Sequence, residues 1–356
     1  MSERRRAGAT VGAVLSVSLL TGGALSGCAH VDAPDQDPTL DQLERAYATL
    51  RAGGPHERAR RALERAAASF EDLALPGTSL EEALASDPHK PYRGRPWERT
   101  LSLVLLAALD AERGRCDLAV PSLKSAALLD LRAEKGEASD APVIYALLLR
   151  CLREVGAPGA DLERTRDELR RSLALAGSDA KLAGLDAAEL ERRALAPTLL
   201  LALDGEAPTL EAAGQYGESA LLRVDATEAT RAQVARARPA KDAIVLRLGK
   251  KGPQTGPPDA EGISLWSSAR QAGTIGGRPF DEVLRERAAM KGQAMREGER
   301  LAHDGLKRAR APGALLGAAA TAAAGVGLFA AGAVVDARAD TRTVSGLFGR
   351  VILLEG

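Results

Sequence analysis

Three cysteines, four histidines and two aspartates four residues apart carry most of the chemical potential of this 356-residue chain. A nucleophile–base–acid set needs an imidazole within reach of Ser or Cys. His56 follows the Gly53-Gly54-Pro55 turn, His89 lies in a Pro-bounded loop, His303 falls on a polar helical stretch, and His30 stands just beyond Cys28. None has a histidine partner four residues on, and His-Glu-x-x-His does not occur, so each reads as a surface histidine. Asp336 and Asp340 are one helical turn apart. They offer either two carboxylates for acid–base or cation work, or the end of a helix paired with Arg338 and Arg342. Asp340, Thr341 and Arg342 form the polar cluster that caps the apolar run before them, for folding or for recognition. Cys116 and Cys151 each sit on or beside an apolar helical face. In an oxidising compartment they form one disulfide; otherwise they stay two buried, inert thiols.

Composition narrows the function classes further. Lys+Arg and Asp+Glu are both 48, and aromatics make up only 3% of residues, so the basic patches and stacking platforms of a nucleic-acid binder are missing. Gly249-Lys250-Lys251 lacks the upstream Gly and the Ser/Thr of a phosphate loop, and Gly273 to Gly277 reads as a turn; no cofactor is expected. An apolar fraction of 45% is enough for a folded core. The expectation is a non-catalytic protein.

The first 28 residues read as an address. Arg4, Arg5 and Arg6 precede an uncharged stretch from Ala7 to Gly27, which closes on Leu25, Ser26, Gly27 and Cys28. A basic start, a short apolar run and small residues before a cut describe a secretory signal. Leu25-Ser26-Gly27-Cys28 also resembles the lipobox of bacterial lipoproteins, in which the Cys is diacylated and becomes the mature N-terminus. The resemblance implies a lipid anchor at Cys28. Ala29 stands where an inner-membrane retention signal would place Asp, which implies an outer-membrane location facing the periplasm. Residues 29–38, acidic and Pro-punctuated, read as a tether.

The elements that must position these residues fall into two stretches. Over 39–195 apolar spacing is helical. Leu40, Leu43, Tyr47 and Leu50 share one face, Ala59, Leu63, Ala66 and Phe70 another, and Leu103, Leu106, Ala107 and Leu109 precede Gly114 and the Ala119, Leu123, Ala126 face. A third pair spans Pro142 to Leu152 and Asp161 to Leu175. Leu106, Ala107, Gly114, Ala119, Leu123 and Ala126 resemble the tetratricopeptide hairpin, with Asp110 where that motif takes an aromatic. An ordinary Ala-rich bundle is the alternative. Over 196–356 the pattern turns to short apolar runs bounded by turn residues: 198–203, 219–224, 243–248 and 349–354, with a helix over 280–310.

Residues 311–335 are uncharged, with 11 Ala and 5 Gly. They are long enough to span a bilayer yet poor in strongly apolar side chains, so they read either as a buried or partner-facing helix or as a membrane-inserting one. The fold class is α+β, predominantly α: tetratricopeptide-like hairpins, then a small sheet with long helices. The layout resembles a family of bacterial lipoproteins of no established activity, with a tetratricopeptide-like front half and a mixed back half. In that family an Ala-rich helix leads to an Asp-Thr-Arg motif and a final strand. Tyr92-Arg-Gly-Arg-Pro96-Trp97-Glu98-Arg99 resembles its entry motif, while Thr343-Val344 replaces its Ser-Trp. The expected role is a lipid-anchored scaffold in an envelope assembly, with other envelope proteins or copies of itself as partners. The alternative is a membrane-active or pore-associated component using 311–335.

Overall fold

The computed structural model describes residues 37–72, 92, 94–133, 141–207, 209–213, 219–223, 234–249, 261–268, 274–275, 278–308, 321, 323–324 and 344–355. Pro38 and Asp37 start the first helix, α1 (Pro38–Arg51). Proline supplies a preset helical φ, and the Asp37 carboxylate accepts from the amides of Thr39 and Leu40 at 2.9 and 3.3 Å. The helices α2 (His56–Asp72), α3 (Pro96–Glu112), α4 (Cys116–Ala133), α5 (Pro142–Glu154) and α6 (Gly159–Leu175) follow, with the short α7 (Gly177–Leu182) and α8 (Ala187–Ala194) after them. The helical faces expected from spacing are the buried ones: Leu43, Tyr47 and Leu50 on α1, Ala59, Leu63, Ala66 and Phe70 on α2, Ala119, Leu123 and Ala126 on α4.

Helices differ by layer. From Thr100 to Ala111 every residue of α3 is buried, and α5 is buried from Pro142 to Leu152. By contrast α6 buries only Thr165, Leu169, Ser172 and Leu173 and turns its Arg, Asp and Glu side chains to solvent. The two inner helices rest on the sheet, α3 against β5 (Ile244–Gly249) and α5 against β6 (Gly262–Ser267).

That sheet has five strands in the order β4-β6-β9-β1-β5, where β1 is Thr198–Glu206, β4 Ala235–Ala237 and β9 Phe348–Glu355. All its pairings are antiparallel. The last strand of the chain is therefore internal, laddered to β1 on one side and β6 on the other. Val351, Ile352, Leu353 and Leu354 are each fully buried, as a continuous apolar strand requires when both faces are covered. Burial of each such side chain contributes roughly 1.5–3 kcal/mol. Leu199, Leu201, Leu203, Val351 and Leu353 share one apolar cluster with the helices, while Leu200, Ala202, Ile352 and Leu354 form a second cluster on the opposite face.

Residues Gln36–Gly356 form one compact unit, so the change at residue 196 marks a switch of secondary structure within a continuous core. The runs at 198, 243 and 349 are strands of this sheet. The run at 219 is β3 (Ser219–Arg223), which pairs instead with β2 (Thr209–Ala213) in a separate two-stranded ribbon. A second ribbon, β7 (Thr274–Ile275) and β8 (Arg278–Pro279), leads into α9 (Phe280–Arg308).

Candidate functional site

Cys28 with Leu25, Ser26 and Gly27, and the motif Asp340, Thr341 and Arg342, lie outside the described residues, as does all of 311–335 except the helical residues 321, 323 and 324. The described chain resumes at Val344, two residues past Arg342, and there it meets the Tyr92–Arg99 segment. Their meeting point is Glu98. Pro96 and Glu98 occupy the first and third positions of α3, and the Glu98 carboxylate reaches back to accept the Arg95 amide at 2.7 Å. The same oxygen accepts the Tyr92 hydroxyl, and the other accepts the amide of Val344 at 3.2 Å, 246 residues away in sequence. Glu98 is fully buried, and burial pushes its carboxyl above the usual range against the opposing pull of these hydrogen bonds.

Neighbouring side chains grip the same C-terminal segment. Glu44 accepts the Ser345 amide at 3.3 Å. Arg51 donates to the carbonyls of Gly346 (2.6 Å), Leu347 (3.0 Å) and Gly205 (2.8 Å), and its guanidinium lies 4.7 Å from the Phe348 ring centroid. Tyr47 packs edge-on to Phe348 at 5.8 Å and shares a hydrogen bond with Ser102; burial first, and then the charge of Glu98, push its hydroxyl up. Tyr92 is tied in as well, its amide donating to Asp37.

A second polar cluster fastens α5 to the sheet. Arg150, 4% exposed, donates to the carbonyls of Ala194 (3.3 Å), Ala196 (2.8 Å), Pro197 (3.4 Å) and Leu248 (3.0 Å) and pairs with Glu154 at 3.1 Å. Gly249 ends β5 at φ +102°, and a Cβ there would collide with the Arg150 guanidinium and the Pro197 carbonyl. This glycine is held by packing and backbone conformation.

A third cluster explains Asp110, the residue that departs from the tetratricopeptide pattern. Buried Asp110 accepts from Arg60 Nε at 2.6 Å, so α2 and α3 join through an ion pair where that motif would stack an aromatic. Beside it, His56 Nδ1 lies 2.6 Å from Glu112, whose other oxygen accepts the Arg247 amide of β5 at 3.4 Å. The hydrogen bond to Glu112 raises the His56 pKa. Cys116 and Cys151 do come together, as free thiols with their sulfurs 2.8 Å apart.

These groups hold parts of the chain in place. Both Glu98 oxygens are occupied, by three donors from two segments distant in sequence, which is the arrangement of a joint. Among the described residues no group of three or more His, Cys, Asp or Glu is placed to hold a metal ion, and no helix is long and apolar enough to cross a membrane. Of these hub residues, Glu98 at the third position after a Pro-started helix is legible as a cap. The Arg150 and Arg60 roles have no local signature, because their partners lie in other elements. No family model, curated protein or solved structure matches the chain.

Proposed function

We propose that this protein is a lipid-anchored component of the bacterial cell envelope, held by Cys28 and acting as a non-catalytic scaffold for other envelope proteins. The N-terminal reading rests on the basic n-region, the apolar run and the Leu25-Ser26-Gly27-Cys28 pattern. The observation that carries the scaffold reading is the rigid backing of the outer helices. Inner helices α3 and α5 share a core with the sheet, and α4 and α6 lie over them with one face buried and the other open. Leu128 on α4 and Leu175 on α6 are each 50% exposed, apolar points on the open faces of these helices. Helical hairpins mounted in this way bind partners through shape rather than through a reaction.

The test is fractionation of cells expressing wild type and Cys28→Ala, followed by an alkaline carbonate wash. Wild type is expected to stay with membranes, and the processed variant to be released. Retention of the processed variant would show a second, protein-based attachment and bring forward 311–335 as a membrane-inserting segment. Crosslinking then asks who the partners are: a scaffold brings down defined envelope proteins, whereas a pore component brings down mainly itself.

A further inference from the structure

We infer that Cys116 and Cys151 are a disulfide pair, closed as the chain folds and then sealed inside the helical layer. Cys116 is the first residue of α4, and Cys151 lies in the last turn of α5. These two helices pack directly on each other. Their sulfurs are 2.8 Å apart, so a closure of less than about 1 Å reaches the ~2.05 Å of a disulfide. Both residues are at most 2% exposed, and they are 35 residues apart in sequence, so the bond would cross-link the α4–α5 pair.

Closing it removes one hydrogen from each thiol and joins the two sulfurs. The two electrons and two protons pass to a disulfide donor, oxidised glutathione or a dithiol–disulfide oxidoreductase, which leaves as two thiols. In the cell that donor exists only in an oxidising compartment, so this arm alone rests on the envelope placement. Glu154 bears on the timing. Its carboxylate is 3.2 Å from the Cys116 sulfur, and Arg150 stands on its other side at 3.1 Å. The hydrogen bond to Cys151, then burial out of water and the Glu154 carboxylate, push the Cys116 thiol up, so it is a poor thiolate and exchange slows once α4 and α5 have packed. A bond made early is therefore kept, which is the behaviour of a structural cross-link.

The experiment refolds the full-length chain in a mixture of reduced and oxidised glutathione, blocks free thiols under denaturing conditions, and maps the tryptic peptides without reduction. Expected is a linked pair, Cys116–Lys124 joined to Cys151–Arg153, two hydrogens lighter than the separate peptides. The oxidised protein should melt roughly 5–10 °C above the Cys116→Ala/Cys151→Ala variant, which keeps the small buried volumes. Full alkylation of both cysteines in refolded protein, or linkage of either to Cys28, overturns the pairing. Acid-trapped cells form the second arm. A bond in glutathione together with free thiols in cells upholds the pair and overturns the envelope placement, so the two readings fail separately.

Discussion

Glu98 and Arg150 are both buried, and both fasten the helical layer to the sheet, yet they do it with opposite charge. Glu98 collects donors: the Tyr92 hydroxyl and the amides of Arg95 and Val344. Arg150 collects acceptors: carbonyls at the end of α8, in the turn after it and at the end of β5. The difference follows from chain direction. The start of α3 and the stretch entering β9 present amides with no ladder or helical partner, whereas the end of a helix or a strand presents carbonyls. One seam gathers the beginnings of elements and the other their ends, and each needs the charge that answers its exposed backbone dipoles.

The largest effect is expected at the second seam. Arg150→Ala leaves several buried carbonyls and Glu154 without their donor and should cost about 3–5 kcal/mol in urea unfolding. Arg150→Lys, with a point charge in place of a planar fork, should recover only part of this. A near-neutral Arg150→Met would show that the seam is held by packing and would break the comparison. At the first seam Glu98→Ala should cost about 3 kcal/mol, and Glu98→Gln less, because an amide oxygen still accepts one of the three donors. Equal losses for Ala and Gln would mean that charge, rather than donor number, governs the site.

Arg51→Ala sharpens the first seam from its solvent side. It removes the hold on Gly205, Gly346 and Leu347 and the contact with Phe348, for about 1–2 kcal/mol, and should speed hydrogen exchange at 344–348 ahead of the rest of the sheet. The smallest effect belongs to His56→Gln, below about 1 kcal/mol because the pair is partly exposed. Its sign is set by pH. The folded pKa of His56 lies above its ordinary 6.5, so its contribution is complete below pH 6.5 and is lost as pH rises through the raised folded value. Melting curves of wild type and variant should therefore differ at pH 6 and converge at alkaline pH.

Helices were the most legible part of the molecule. Periodic Leu and Ala along 39–175 mark the buried face of each outer helix and the fully buried inner ones alike as helical, and a helix is a local structure whose hydrogen bonds close within four residues. Three strands of the main sheet were legible as apolar runs ending in turn residues. Gly262–Ser267 was not: Ser264 and Ser267 interrupt its apolar pattern, and both are buried only because β9 and the residues around them enclose the strand. Ala235–Ala237 is too short to carry a period, and 219–223 has the look of a strand without any indication of its partner.

Among the described residues, local sequence by itself determined the helical segments and the apolar character of β9. Chemical identity and spacing are enough there, because each depends on residues a few positions apart. Only the tertiary structure decided that β9 lies inside the sheet, that Glu98 holds Val344, that Arg60 answers Asp110 and Arg150 answers the carbonyls at 194–197 and 248, and that Cys116 meets Cys151. Each of these joins residues tens to hundreds of positions apart. A buried charge or thiol shows its purpose only when the backbone dipole, ion or sulfur that completes it has been brought alongside.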